Sequence, residues 1–307
     1  MDDIFDDGPR ADKAKLKALS ARSDAKGLWQ LGSHLAALVL SGLLVTGTLG
    51  SVWVVPALWL YGLLLIFLFA PLHETIHRTA FKTRWLNDVV AKLCGFVLLL
   101  PAEYFRNFHF AHHRYTQDPA RDPELAVPKP ANLGAYLLLM SGLPYWRERT
   151  TTLLRHALGD VSNDFIAAQK RAEVRREARL YLAGYAAVAA LSLATGSAAA
   201  LLYWVLPALL GQPALRAYLL AEHTGCPLIP DMLKNSRTTR SNALVRWLAW
   251  NMPYHAEHHA YPALPFHALP QAHGVLKDRI TVQAGGYATV HADLLRAWRS
   301  RNPALQN

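Results

Sequence analysis

The chain has 307 residues, of which 52% are hydrophobic and 18% are charged, and its formal net charge is +10. This length allows one large domain, and the composition is more apolar than that of a typical soluble protein. A basic chain can bind nucleic acid, but no compact basic and aromatic motif is present, so we expect no nucleic-acid partner.

The N-terminal segment, residues 1–26, mixes charges without apolar periodicity and is predicted to be a loosely ordered cytosolic tail. Its acidic start between Asp2 and Asp7 does not resemble the basic start of a cleavable signal peptide. The chain has 2 cysteines, Cys94 and Cys226. They are too few for a disulfide framework and suit a reducing compartment.

Two long blocks, residues 27–70 and 180–215, contain no Asp, Glu, Lys or Arg. A bilayer core of about 30 Å needs roughly 20 helical residues per crossing. Each block therefore predicts two membrane-spanning helices. The alternative is a set of buried helices in a large soluble protein, but helices of soluble proteins usually carry charge on one face.

Short breaks around Gly50 and Gly196 predict a tight turn within each block. The result is two helical hairpins, with spans at about 30–49, 52–70, 180–195 and 197–214.

The positive charge predicts the orientation of these hairpins. All 32 Lys and Arg residues lie in residues 1–26, 71–179 and 216–307, and the two turns have none. By the positive-inside rule, the three charged segments and both termini face the cytosol. We therefore predict an all-α, polytopic membrane protein, expected in a bacterial inner membrane. Residues 27–307 would form one domain, with a cytosolic helical cap built from 71–179 and 216–307.

Two apolar segments inside the predicted cap, residues 85–101 and 133–143, are too short to cross a bilayer. We expect them to form helices that lie in the membrane interface or close the cap over it.

Histidines are concentrated in the predicted cytosolic segments. Nine of the 14 follow a pattern of one H-x-x-x-H pair, two H-x-x-H-H boxes and one lone residue. In chain order they are His73 and His77; His109, His112 and His113; His223; and His255, His258 and His259.

These spacings predict a centre with two metal ions. Residues four apart, such as His73 and His77, lie on the same face of a helix, whereas adjacent residues are rotated by about 100°. One helix can therefore offer imidazoles to two neighbouring metals. Nine imidazoles are too many for one zinc ion, which usually takes four ligands. Imidazole suits iron, copper, nickel and zinc, so the ligand type alone leaves the metal open.

A zinc protease and a metal transporter are the two alternatives to this interpretation. The first pair with Glu74 matches H-E-x-x-H, the motif of zinc proteases, so an intramembrane zinc protease is the remote alternative. A protease would have no use for the two further boxes. A metal transporter would need polar residues within the spans, and these are almost absent.

The other five histidines are expected to have structural roles. We expect His34 to be packed or interfacial, His156 and His291 to be solvated, and His267 and His273 to support the third box.

The stretches around the boxes resemble the membrane-bound fatty acid desaturase superfamily. The resemblance includes F-R-N-F-H-F-A-H-H-R-Y-T at 105–116 with D-P and D-P-E after it, and N-M-P-Y-H-A-E-H-H at 251–259. It implies four transmembrane helices under a cytosolic cap that holds two iron ions. Such enzymes use O2 and two electrons from a redox partner to remove hydrogen from an unactivated C–H bond. By matching position, the resemblance implies that the nine histidines are the iron ligands.

The resemblance has one departure and leaves several details open. Acyl-CoA desaturases have an Asn four residues before the lone histidine, where this chain has Leu219. No fused cytochrome b5 motif is present, so a separate ferredoxin, rubredoxin or cytochrome b5 is the expected electron donor. Four acidic residues are candidates to orient imidazole N–H groups rather than to be plain surface charges: Asp118, Asp122, Glu222 and Glu257.

The predicted function is therefore O2-dependent desaturation of a lipid or fatty acyl substrate. A lipid or alkane hydroxylase or a carotenoid ketolase of the same superfamily is the alternative, because the same boxes serve those reactions. A small non-lipid substrate is also compatible with the boxes.

Overall fold

Helices form nearly all of the regular structure in the computed structural model, which describes residues 10–299. The α-helices of this part are α1 Arg10–Leu19, α2 Asp24–Thr48, α3 Val54–Ile66, α4 Phe69–Ile76, α5 Arg84–Val97, α6 Ala102–Tyr115, α7 Leu133–Met140, α8 Leu143–Leu158, α9 Arg171–Thr195, α10 Leu206–His223, α11 Met232–Asn235, α12 Ala243–Leu248, α13 His255–Ala260, α14 Leu269–Leu276 and α15 Tyr287–Arg299.

Shorter elements connect these helices. Two strands, β1 Thr238–Thr239 and β2 Gln283–Ala284, pair in parallel. The 3-10 turns are Pro123–Ala126, Ala168–Lys170 and Phe266–Ala268, and a π-helical turn at Leu201–Val205 precedes α10.

Three helical segments of the described chain are long and apolar enough to cross a membrane: Asp24–Thr48, Val54–Ile76 and Ala168–Thr195. Only 17% of the apolar window in the first and 11% of that in the third are buried inside the protein. Their apolar side chains therefore face outward, as expected for helices covered by lipid. These segments correspond to the predicted spans at 30–49, 52–70 and 180–195.

The fourth predicted span, 197–214, coincides with the π-helical turn and the first half of α10, and α10 is not among those three segments. Its apolar run is interrupted by Gln212 and by Pro213, which lies inside the helix. The helices α5 and α6 pass the same test only as a pair bent by 100°. The four-span arrangement therefore stays a prediction.

Glycines permit a close crossing of α3 and α10. A Cβ atom added to Gly62 would collide with the backbone of Pro207, and one added to Gly211 would collide with the backbone of Gly62. From this crossing, α10 continues to His223, and α3 is followed by α4, which carries His73.

Both predicted turns follow the end of a helix. The helix α2 ends at Thr48, and Gly50 has a φ of 81°. The helix α9 ends at Thr195, and its C-cap Gly196 has a φ of 62°. Glycine adopts this left-handed conformation without steric cost, which explains why it ends each helix.

The structure corrects the prediction of a loosely ordered tail for residues 10–26. These residues include α1, which contacts α14, and its Leu16 is only 2% exposed. Leu19, three residues later, packs against the same core. This contact is between segments distant in sequence, so local charge mixing did not reveal it. The tail prediction for residues 1–9 lies outside the described residues.

The two short apolar segments of the predicted cap form helices, as expected. They correspond to α5, and to α7 with the start of α8. On α5, the spaced apolar residues Trp85, Val89 and Leu93 are exposed. Their location in the membrane interface stays a prediction.

Candidate metal centre

Four helices bring the nine predicted histidines together. His73 lies near the end of α4 and His77 is its C-cap residue. The second box lies in the last two turns of α6, and His223 is the last residue of α10. The helix α13 carries the third box, and all of its residues are buried.

Eight of the nine histidines form two adjoining groups, and the ninth, His255, lies beside them. The ring nitrogens of the first group lie within 4.8 Å of one another, and so do those of the second. The first group contains His73, His77, His109, His113 and His258, and the second contains His112, His223 and His259. His255 adjoins the second group, since its Nε2 lies 2.9 Å from Nε2 of His223.

Each box is divided between the groups in the way that helix geometry predicts. On α6, His109 and His113 are four residues apart and belong to the first group, whereas His112 belongs to the second. On α13, the adjacent residues His258 and His259 belong to different groups. One helix thus supplies imidazoles to two neighbouring positions.

The donor atoms converge closely. Nε2 of His113 lies 2.9 Å from Nε2 of His109 and 3.1 Å from Nε2 of His258. Nε2 of His77 and Nε2 of His259 are buried without a hydrogen-bond partner among the residues that the structure describes. Buried polar atoms are normally paired. Convergent, unpaired imidazole nitrogens therefore fit a site for two metal ions.

Burial favours the neutral imidazole at most of these positions; at His112, Glu124 and Asp122 outweigh burial and raise the pKa. Burial lowers the pKa of His223 to about 3 and lowers the pKa of His258 and His259 well below the ordinary value. At neutral pH these three rings therefore carry the lone pairs that a metal ion needs, and binding does not require them to lose an extra proton.

Two of the four acidic candidates lie next to these histidines. Asp122 Oδ1 lies 2.9 Å from Nδ1 of His112, and its Oδ2 accepts a hydrogen bond from the Gln117 backbone N–H. Glu222 Oε1 lies 3.3 Å from Nδ1 of His255, without the geometry of a hydrogen bond. Asp122 can therefore fix the orientation of a ring, as histidine ligands commonly require.

The other two acidic candidates have different partners. Glu257 is fully buried, accepts a 2.6 Å hydrogen bond from Thr238 Oγ1 and contacts Nδ1 of His273. Asp118 pairs with the exposed Arg121, and the structure places it next to no histidine of the described chain.

Three contacts to the histidines were not predicted from the sequence. Thr116 Oγ1 lies 3.2 Å from Nδ1 of His259, Glu124 Oε2 lies 3.2 Å from Nε2 of His112, and the Asn235 carbonyl lies 3.3 Å from Nδ1 of His223. Thr116 follows His112 by four residues, so helical spacing could have identified it. Nothing local in the sequence identifies Asn235.

The five remaining histidines lie outside the two groups. His34 is fully buried 2.9 Å from the Leu64 carbonyl, which confirms that it is packed. The prediction that His156 and His291 are solvated is wrong. His156 is buried 2.8 Å from Asn163 Oδ1, and half-buried His291 lies 3.0 Å from the Ala217 carbonyl. His273 contacts Glu257 of the third box, and His267 packs against Phe266.

An apolar cavity of about 320 Å³ opens onto both groups. Histidines of both groups, together with His255, form part of its wall: His73, His109, His112 and His255. Much of the remaining wall is apolar and includes Phe67, Phe69, Phe105, Phe108, Leu219 and Met252. Charged side chains complete the lining, among them Glu124, Glu148 and Arg216, and its size is that of a small-molecule site.

Comparison with known proteins gives this arrangement a family. The sequence model described as fatty acid desaturase matches residues 50–291, which contain all nine histidines. The chain belongs to the fatty acid desaturase family. It is therefore an oxidoreductase of a di-iron membrane family, and its histidine groups could bind metal.

Characterised relatives act on different substrates. The enzyme is 27% identical over 265 residues to an sn-1 oleoyl-lipid 12-desaturase of Synechocystis sp., covering 78% of this chain and 74% of the relative. It is 28% identical over 241 residues to a dihydrorhizobitoxine desaturase of Bradyrhizobium elkanii, covering 72% and 65%. A sphingolipid delta(4)-desaturase of Drosophila melanogaster is 23% identical over 261 residues, covering 81% and 74%.

Proposed function

We propose that the enzyme is an O2-dependent di-iron desaturase that introduces a double bond into the acyl chain of a lipid. The observation that carries the proposal is the pair of buried histidine groups next to an apolar cavity. The likeness to two sn-1 oleoyl-lipid 12-desaturases supports a lipid substrate.

The nine histidines are the proposed iron ligands, and their environment suits that role. Asp122 holds the ring of His112, and burial keeps His223 neutral. When bound, two iron ions would activate O2, which is the oxidant: O2, two electrons, two protons and two substrate hydrogen atoms give two water molecules and a double bond.

The cavity supports the proposed substrate class. Phe67, Phe105 and Phe108 provide apolar surface against which methylene groups can pack. The same surface excludes water from the carbon that reacts. His109 and His112 lie in the same wall, so a bound chain would be close to both histidine groups.

The proposal includes the topology and the electron supply. We place both termini and the histidine groups on the cytosolic side of a bacterial inner membrane, with four spans. The support is the absence of Lys and Arg from residues 27–70 and 180–215. A separate ferredoxin, rubredoxin or cytochrome b5 would then deliver the electrons.

Two measurements test the function. Metal analysis of the purified protein should give about two irons per chain, and lipids from cells that express the enzyme should gain a double bond. One zinc per chain would indicate a protease instead. A hydroxyl or keto product would indicate the alternative reactions of the superfamily, and unchanged lipids would point to a small substrate such as the one named for the Bradyrhizobium relative.

A further inference from the structure

A partly buried arginine without a counterion lies in the wall of the cavity. Arg216, on α10, lines the same cavity as His109 and His112. Across residues 10–299, no carboxylate lies within salt-bridge distance of it, and its Nε is buried without a hydrogen-bond partner. Burial lowers the pKa of its guanidinium.

The acidic residues of the cavity are engaged elsewhere. Glu124 pairs with Lys129 at 3.2 Å, and Glu148 pairs with Arg149. Glu222 lies beside His255 at 3.3 Å. These pairings leave the positive charge of Arg216 uncompensated within the described part of the chain.

The ring of Tyr145 holds Arg216 in place, and a second guanidinium lies against the same ring. Its guanidinium carbon lies 4.5 Å from the centre of the Tyr145 ring. The Tyr145 hydroxyl donates a 2.9 Å hydrogen bond to the Leu98 carbonyl, which fixes the ring. Arg149, only 8% exposed, lies 5.8 Å from the same ring, and its Nε has no hydrogen-bond partner in the described chain. Two helices, α8 and α10, thus bring two guanidinium groups to one position.

The contact with Tyr145 does not account for a charge held in the wall of this cavity. A cation–π contact contributes about 0.5–2 kcal/mol, whereas removing a charge from water costs several kcal/mol. A partly buried guanidinium whose Nε is buried and unpaired is therefore expected to bind an anion. Its planar N–H groups match the two oxygens of a carboxylate or phosphate.

We infer that Arg216 binds an anionic oxygen group of the substrate, a carboxylate or a phosphate, inside the cavity next to the histidine groups. The identification of this ligand as the substrate rests on the proposed function. An anchored anion with an apolar chain would have a fixed position along the cavity, so Arg216 would help to select the carbon that reacts.

Binding to the purified, iron-loaded enzyme in a non-ionic detergent tests this inference without turnover. The probes are oleate, dioleoyl phosphatidylglycerol and oleyl alcohol, which offer a carboxylate, a phosphate and no charge. Arg216→Met should weaken binding of at least one anionic probe about tenfold or more, because hydrogen bonds between charged groups are lost. Binding of oleyl alcohol should change less than about twofold. The anionic probe that responds identifies the source of the anion.

Thermal unfolding provides a readout that a structural role would not give. Replacing an unpaired buried charge with an apolar side chain should leave the ligand-free variant at least as stable as the wild type. The anionic probe, which raises the unfolding temperature of the wild type, should no longer raise that of the variant. The control is Arg296→Gln, which removes a positive charge at a side chain that is 71% exposed. This variant should change the binding of each probe by no more than about twofold.

Three results would overturn the inference. Arg216→Met could bind both anionic probes as tightly as the wild type, the wild type could bind neither, or the ligand-free variant could unfold at a clearly lower temperature. Iron content and lipid products are measured separately. Protein that binds oleate through Arg216 but lacks iron would contradict the proposed function and leave the binding site supported.

Discussion

Asp122 Oδ1 lies 2.9 Å from Nδ1 of His112, and the opposite nitrogen of that ring, Nε2, lies 3.2 Å from Nε2 of His223. The carboxylate therefore determines the direction in which His112 faces its group. Partners of this kind typically change metal affinity by 10- to 100-fold when they are replaced.

We predict that Asp122→Asn lowers iron affinity by about 10- to 100-fold, because the amide no longer holds the ring through a charged hydrogen bond. Metal titration of the purified variant measures this. Asp118→Asn is the matched control, since Asp118 pairs with exposed Arg121 instead of a histidine. Equal losses in the two variants would contradict the assigned role of Asp122.

His223→Ala should leave the protein folded in the membrane, lower its iron content and abolish oxidation. His156→Ala is the matched control because His156 is also buried, but its contact is with Asn163. Loss of that hydrogen bond should cost about 1–3 kcal/mol of stability and leave iron content unchanged. A folded His223→Ala variant with full iron and full activity would show that His223 is not a ligand.

The metal-free protein should become less stable as the pH falls below about 6.5. Burial lowers the pKa of His223 to about 3 from its ordinary value of 6.5. Between these values the unfolded chain binds a proton that the folded chain does not. Each such group lowers the free energy of unfolding by up to about 1.4 kcal/mol per pH unit. Thermal unfolding at pH 7.5 and 5.5 measures the effect, and higher stability at pH 5.5 would contradict it.

Gly211→Ala should destabilise the protein by about 1–3 kcal/mol, because the new methyl group would collide with the Gly62 backbone. Gly47→Ala is the control, since no other atom lies within 4 Å of the position of its added Cβ. Thermal unfolding of both variants in detergent tests the close crossing of α3 and α10. Similar stability of the two variants would argue against this close crossing.

Reporter fusions at Gly50 and Gly196 should report a position outside the cytosol. The reason is the absence of Lys and Arg from residues 27–70 and 180–215. A fusion after Arg299, the last residue of α15, should report the cytosol. Cytosolic activity at either glycine would exclude the four-span topology.

The grouping of the histidines was predictable because it depends on local helix geometry. Spacings of four residues and adjacent pairs determine which rings share a face, and the structure divides His109 and His112 accordingly. His223 was also found, because it follows an uncharged block at a depth similar to that of His73. Each of these predictions uses only the residues that precede and follow the histidine in the sequence.

Features that depend on contacts between distant segments were not predictable. The packing of Leu16 against α14 and the contact of Asn235 with His223 join parts of the chain whose sequences carry no matching signal. The isolation of Arg216 is a property of the whole cavity, since it depends on where Glu124 and Glu148 find partners. The sequence shows only that Arg216 is the first charged residue after an uncharged block.

The division of each box between two groups has a consequence for assembly. Both α6 and α13 supply histidines to each group, so neither helix can be ordered for one metal alone. If a first metal ion fixed these helices, a second would meet a site that is already formed, and its binding would cost less conformational entropy. Protein from iron-starved cells should therefore separate into empty and fully loaded molecules, with few that hold a single iron.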